Sequence, residues 1–178
     1  MLLELTEIES KLHEKFSIFE GDMDDLTMKK GGFSIDEVGT LEKRLNITLH
    51  DKFKKFVLNY NLNDFSLGSF MFGNGGSYLD KLFELNSKND LIQWWGEGER
   101  PKNLLLVTYN DPYSVLLEVD SGRIYAITDE SDLNNIKPIS FDFCFFFRGV
   151  GTSFLNKIDS TDVEKLVGSE DKFFWSCL

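Results

Sequence analysis

The sequence predicts an α+β fold, a twisted antiparallel β-sheet with helices packed on it. Two segments between residues 35 and 60 repeat apolar residues at the helical spacing of three and four. Three β-prone runs between residues 104 and 127 are separated by turns that are too short for a parallel crossover. The length of 178 residues leaves room for one domain with a small appendage.

The first segment is predicted to be a helix with an acidic outer face. Its apolar stripe repeats at steps of three and four residues and comprises Leu5, Ile8, Leu12, Phe16 and Phe19. Paired glycines at positions 31 and 32 do not continue a helix. We therefore expect an acidic N-terminal helical extension over residues 1–32, followed by the main domain over residues 33–150.

Two further helices should follow the glycines. Ser34 and Glu37 have the spacing of a capping box, in which both side chains accept hydrogen bonds from backbone N–H groups at the helix start. The buried face of the first helix should comprise Ile35, Val38, Leu41 and Leu45. The buried face of the second should comprise Phe53, Phe56, Val57 and Tyr60. A short extended link joins the two helices, so we expect them to pack as a pair.

The strand signal is clearest between residues 104 and 127. The runs 104–109, 114–119 and 123–127 are rich in apolar residues that favour strands. Residues 110–112 and 120–122, which separate these runs, have the composition of tight turns. The three runs therefore predict an antiparallel meander.

The aromatic run over residues 141–147 is compatible with two structures. Its aromatic content favours a strand. Ser140 as an N-cap instead favours a helix, with Phe143, Phe146 and Phe147 facing inward. We interpret the glycines at positions 149 and 151 as the end of this element.

A short helix is predicted in the C-terminal tail over residues 151–178. Ser160 or Thr161 can cap this helix together with Glu164, and Gly168 can close it. We expect the tail to pack on the main domain.

The charge of the chain is strongly negative. Its 19 Lys and Arg residues against 30 Asp and Glu residues give a net charge of −11. Nucleic acids and anionic membrane surfaces require clustered basic residues, so we expect the protein to bind neither. A negative field steers basic proteins inward, and these are the charged partners that we expect.

The sequence carries no catalytic constellation. Neither His13 nor His50 lies near the motif of a serine or cysteine nucleophile. The acidic run at 22–25 begins like a calcium loop, but it lacks the central glycine and the closing glutamate. We therefore predict a protein that is not an enzyme, with no catalytic residue, no metal and no cofactor.

The N-terminus and the cysteines indicate a cytoplasmic protein. Glu4, Glu7 and Glu9 stand where a signal peptide would require basic and then apolar residues. The 2 cysteines do not form a Cys-x-x-Cys motif, which suits a reducing compartment.

Three segments together carry a family pattern. Residues 35–61 have an acidic-apolar helix, a short link, and a second helix with an aromatic-lysine step. Residues 104–131 match a strand-turn-strand pattern at Asp120, Gly122, Ile124, Tyr125 and Asp129. Residues 139–141 match the start of a final aromatic helix. On these residues the chain resembles the SUKH superfamily, named in part after a yeast regulator of cell-wall glucan synthesis, over roughly residues 33–150.

The resemblance implies a fold and a function. It implies a sheet and helices of the SUKH type, with the aromatic run as a helix. Most bacterial members look like immunity proteins that bind a cognate polymorphic or contact-dependent toxin, often a nuclease, and neutralise it in the cytoplasm. The alternative, suggested by the yeast namesake, is a non-enzymatic scaffold or regulator in cell-wall synthesis or signalling assemblies. We expect a monomer or a weak dimer.

Two groups of residues are predicted to contact the partner. Adjacent tryptophans cannot easily face one core from a strand, and tryptophan is enriched at binding hot spots. The first group is the charged loop that contains Trp94, Trp95, Glu97 and Glu99. The second group belongs to the meander and comprises Asp111, Tyr113, Asp129, Glu130 and Asp132. The alternatives are ordinary packing for the tryptophans and solubility for the acids.

Overall fold

The computed structural model describes residues 1–19, 21–73, 75–88, 93–156 and 158–178. Over these ranges the fold is α+β, as predicted, with six α-helices, a six-stranded antiparallel sheet and a two-stranded sheet. The helices are α1 (Leu5–Phe16), α2 (Ile35–Leu45), α3 (Asp51–Asn59), α4 (Tyr78–Asn86), α5 (Phe143–Asn156) and α6 (Ser160–Val167). The strands are β1 (Lys29–Lys30), β2 (Tyr60–Asn61), β3 (Ser66–Leu67), β4 (Phe70–Met71), β5 (Leu104–Asn110), β6 (Tyr113–Glu118), β7 (Ile124–Ile127) and β8 (Pro138–Ser140).

The predicted meander forms the centre of the large sheet. The strand order is β3-β4-β5-β6-β7-β8, and every neighbouring pair is antiparallel. Side chains alternate between the two faces along β5, so Leu105 joins the main core while Leu104 and Leu106 join a smaller cluster on the other face. Both faces of the central strands are therefore buried.

The aromatic run forms helix α5, as the resemblance implies. Phe143, Phe146 and Phe147 are fully buried, in agreement with the inward face predicted for a helix. Ser140 is not the cap, because it ends strand β8. Asp142 takes that role, since its Oδ1 accepts a hydrogen bond of 2.9 Å from the backbone N–H of Phe145.

Gly149 and Gly151 lie inside α5 and do not end it. A Cβ atom on Gly149 would lie 2.6 Å from the indole of Trp175. A Cβ atom on Gly151 would lie 2.6 Å from Ile8 of α1. The missing side chains allow two other segments to approach α5 closely, which explains glycine at both positions.

Helices α2 and α3 begin and end near the predicted residues, but they do not pack mainly on each other. Helix α2 packs against α4, and α3 packs against α5. The capping box of Ser34 and Glu37 is present. Ile35 is 75% exposed and does not belong to the buried face, whereas the other three residues predicted for the buried face of α2 are buried.

The N-terminal and C-terminal segments both join the main core. Ile8 and Leu12 of α1 are buried in it, and the backbone N–H of Leu3 donates to Thr152 Oγ1 of α5 at 2.9 Å. Helix α6 packs on α5 and ends at Gly168 in the left-handed conformation, as predicted, while Asp159 caps its start in place of Ser160 or Thr161. None of the described helices combines the length and the apolar character needed to cross a bilayer.

Candidate functional site

A cavity of about 900 Å³ opens at one end of the meander. Its lining comprises Met71, Lys81, Leu85, Gln93, Trp94, Leu106, Tyr109, Asp111, Pro112, Tyr113, Ser114, Thr128, Asp129 and Glu130. Five of the predicted contact residues are among them: Trp94, Asp111, Tyr113, Asp129 and Glu130. We call this site the acidic cavity.

The strand register brings these residues together. Tyr109 of β5 pairs with Ser114 of β6, and Ser114 pairs with Ile127 of β7. The turn that carries Asp111 and the chain that leaves β7 therefore lie at the same end of the sheet. Residues from two separate regions of the sequence thus share one rim.

The rim carries carboxylates that no basic side chain of the described residues neutralises. Asp111, Asp129 and Glu130 are exposed, and none of them forms an ion pair within the described part of the chain. Lys81 is the basic residue of the lining, and its ammonium lies 3.7 Å from Glu84. The cavity therefore presents excess negative charge beside an apolar floor.

Trp94 forms a fixed aromatic wall of the cavity. Its indole N–H donates to Asn86 Oδ1 at 3.3 Å, and its ring stands at 86° to the ring of Trp95, with centroids 5.4 Å apart. Trp95 is buried behind it, at 8% exposure. Trp94 therefore lines the cavity while it also packs against the smaller apolar cluster, and Trp95 lies outside the lining.

Asn86 is a buried neighbour of Trp94 that no sequence pattern singled out. Its Nδ2 donates to the carbonyl of Leu106 at 2.9 Å, and its Oδ1 accepts from the N–H of Leu106 at 2.8 Å. The amide of one side chain therefore pairs with β5 as a neighbouring strand would. Nothing in the sequence indicated this, because an asparagine that ends a helix is common.

Tyr113 joins the cavity to the C-terminal segment. A hydrogen bond with Cys177, together with burial, raises the pKa of Tyr113 to about 12. The Tyr113 ring also packs edge-on against Phe174, with centroids 5.1 Å apart. The hydroxyl is protonated at physiological pH, as an ordinary tyrosine is, and its oxygen can accept a hydrogen bond at the rim.

The remaining predicted contact residues lie outside the cavity lining. Glu97 and Glu99 are exposed in the loop that follows Trp94 and Trp95. Asp132 borders a separate cavity of about 340 Å³. Hydrogen bonds from the backbone N–H and side chain of Asn134, and from Asn135, lower the pKa of Asp132 and tie it to its own turn.

A third cavity, of about 700 Å³, has the opposite character. Its rim carries Lys30, Lys52 and Lys55, and its wall includes the thiol of Cys144. Burial raises the pKa of Cys144, which keeps the thiol protonated and weakly nucleophilic. Lys52 pairs with Asp142 at 2.7 Å, which raises the pKa of the lysine. This basic groove does not suit a basic partner.

The described residues hold no metal cluster. No group of three or more His, Cys, Asp or Glu side chains among them could hold a metal ion. His13 is exposed, and the Nδ1 atom of His50 is buried without a hydrogen-bond partner. What the acidic cavity can do chemically is bind a cationic group between carboxylates and aromatic rings. Comparison of the chain with protein-family models and with curated proteins finds no match.

Proposed function

We propose that this chain is an immunity protein of the SUKH type. It binds a cognate polymorphic or contact-dependent bacterial toxin, a nuclease in the favoured case, and neutralises it in the cytoplasm. The observation that carries the proposal is the acidic cavity, where five residues predicted to contact the partner converge and where three of them are carboxylates that form no ion pair with the described residues.

Charge supports a nuclease as the target. A nuclease must hold phosphates, so its substrate cleft is basic. A protein with net charge −11 is steered toward such a cleft, and the acids of the rim can occupy the positions that phosphates take in the substrate. Inhibition then needs binding alone and no catalytic residue in this chain.

Aromatic residues in the acidic cavity can supply the binding free energy that exposed charges lack. Exposed ion pairs contribute little each, about 0–1 kcal/mol. Trp94 and Tyr113 add apolar contact area that is already fixed in place, by Asn86 for Trp94 and by Phe174 for Tyr113. Rigid aromatic side chains lose little entropy on binding, which favours their use as anchors.

Co-expression tests the proposal. If the gene next to that of this chain encodes a toxin domain, as the proposal expects, that domain is expressed with and without this chain, and growth and co-purification are measured. We expect rescue and a stable complex from the wild type, and weaker binding from the double variant Asp129→Asn with Glu130→Gln. The matched control is Asp24→Asn with Asp25→Asn, an exposed acidic pair outside the acidic cavity that changes the charge equally.

Two results would count against the proposal. Toxicity that persists with no complex would remove the immunity function for that toxin. Equal weakening by the cavity variant and the control would remove the acidic cavity as the contact surface and leave only net charge as the cause. The complex should also weaken as salt is added, because salt screens exposed charges.

A further inference from the structure

The acidic cavity has two features that select the kind of group it holds. Three exposed carboxylates, Asp111, Asp129 and Glu130, stand at its rim without an ion-pair partner in the described ranges. Behind them the cavity is lined by aromatic rings, including Trp94 and Tyr113, and by aliphatic side chains. We propose that the cavity receives an arginine side chain from a projecting segment of the partner. This inference rests on the proposed function for the identity of that partner.

The carboxylates require a cation in the occupant. Lys81 is the basic residue of the described lining, and it already lies 3.7 Å from the carboxylate of Glu84. Three negative charges at one rim repel each other, and an incoming positive charge relieves that repulsion. The rim is solvated, so charge alone sets the direction and rate of approach more than the affinity.

The aromatic lining favours arginine over lysine. A guanidinium is planar, weakly hydrated, and stacks on aromatic rings, whereas an ammonium keeps its water shell. Trp94 is held by Asn86 and Trp95, so its ring is in place before the ligand arrives. Tyr113 keeps its proton and can accept from a guanidinium N–H group through its oxygen.

The volume indicates a projecting segment. A space of about 900 Å³ lies in the range of small-molecule sites, so it admits one long side chain with its flanking backbone. A flat basic surface would contact the rim and leave the aromatic lining empty. An arginine on a loop or an extended segment contacts both.

Peptide titration followed by NMR tests the inference without the toxin. The probes are the acetylated and amidated tripeptides Gly-Arg-Gly, Gly-Lys-Gly and Gly-citrulline-Gly, added to the intact chain of 178 residues labelled with ¹⁵N. The readout is the indole N–H resonance of Trp94, assigned with Trp94→Phe. We expect the arginine peptide to shift this resonance saturably, with the lysine peptide about fivefold weaker or more and the citrulline peptide without effect.

Variants separate the cavity from general charge attraction. Asp129→Asn with Glu130→Gln should weaken binding of the arginine peptide, while the control Asp24→Asn with Asp25→Asn should leave it unchanged. Equal binding of the arginine and lysine peptides overturns the role of the aromatic lining. Shifts that map away from Trp94 overturn the site.

The peptide result and the rescue result are independent. Rescue by the co-expressed chain with no specific arginine binding at Trp94 overturns this inference and leaves the immunity function standing. Specific arginine binding with no rescue supports the inference and counts against the toxin as the partner.

Discussion

Replacing Asn86 by alanine should destabilise the fold more than the same replacement at any other asparagine that ends a helix. The carboxamide of Asn86 satisfies both the N–H and the carbonyl oxygen of Leu106 and also accepts from Trp94. Asn86→Ala removes these partners without adding bulk. Leu106 is buried, so water does not readily replace the lost hydrogen bonds.

The magnitude follows from the two backbone groups left unpaired. Each buried donor or acceptor without a partner costs about 1–3 kcal/mol, so the expected loss of unfolding free energy is about 3 kcal/mol. With a urea slope of about 2.5 kcal/mol/M for a chain of this size, the midpoint of unfolding should fall by about 1.2 M.

Asn59→Ala is the matched control. Asn59 also ends a nine-residue helix, α3, and its Nδ2 donates to the carbonyl of Lys55, four residues earlier, at 2.6 Å. Asn86 makes the same local bond to Leu82, at 2.8 Å, in α4. Asn59 is exposed, so its loss should change stability by less than about 0.5 kcal/mol.

Urea unfolding followed by tryptophan fluorescence and by circular dichroism measures both variants. Circular dichroism is needed because Asn86→Ala also changes the environment of Trp94. A midpoint for Asn86→Ala within about 0.3 M of the midpoint for Asn59→Ala would refute the reasoning, since it would mean that the β5 backbone groups find other partners.

Three further predictions concern packing and titration. Gly149→Ala should lower the free energy of unfolding by about 1–3 kcal/mol, measured by thermal or urea unfolding, because the added Cβ meets Trp175. Gly39→Ala in α2 is the control and should be neutral or stabilising, because no atom lies within 4 Å of the added Cβ. Equal effects of the two substitutions would contradict the close approach of Trp175 to α5. Lys52→Met should lower stability at pH 7 by about 1 kcal/mol relative to Lys55→Met. The hydrogen bond to Asp142 raises the pKa of Lys52 above 10.5, so the stabilisation from this ion pair is complete below pH 10.5 and should disappear as the pH rises further. A stability difference between Lys52→Met and Lys55→Met that persists at such high pH would contradict the ion pair. Cys177→Ala should lower the pKa of Tyr113 from about 12. Ultraviolet absorbance measures this titration, with Tyr113→Phe as the reference that lacks the Tyr113 signal. An unchanged titration would exclude the hydrogen bond with Cys177 as the cause of the raised pKa.

The parts of the fold that depend on local signals could be predicted from the sequence. The meander is marked by β-prone apolar runs and tight turns, and the capping box at Ser34 is a local pattern of four residues. The aromatic run over residues 141–147 gave no such clear local signal, because aromatic residues suit a buried helix and a buried strand equally. A possible N-cap at Ser140 favoured a helix without deciding the matter, and the family resemblance decided for the helix that is observed.

Contacts between distant segments could not be predicted. Gly149 looked like a helix terminator because glycine has the same local effect whether it ends a helix or admits a neighbour. The role of Asn86 depends on Leu106, twenty residues later in the chain. For the candidate site, the residue types of the rim were found from charge and composition. The convergence of five of them on one cavity depends on the strand register, while Trp95, Glu97, Glu99 and Asp132 lie outside its lining.

The position of α5 between α1 and Trp175 has a consequence for cooperativity. Gly149 faces Trp175 and Gly151 faces Ile8, so the two contacts lie two residues apart on one helix. The hydrogen bond between Leu3 and Thr152 spans 149 residues of sequence. Contacts of such separation form late in folding and give slow kinetics. Because α5 also fills the main core, α1 and the segment around Trp175 should unfold together with the sheet, in a single transition, and no smaller unit should persist at intermediate denaturant.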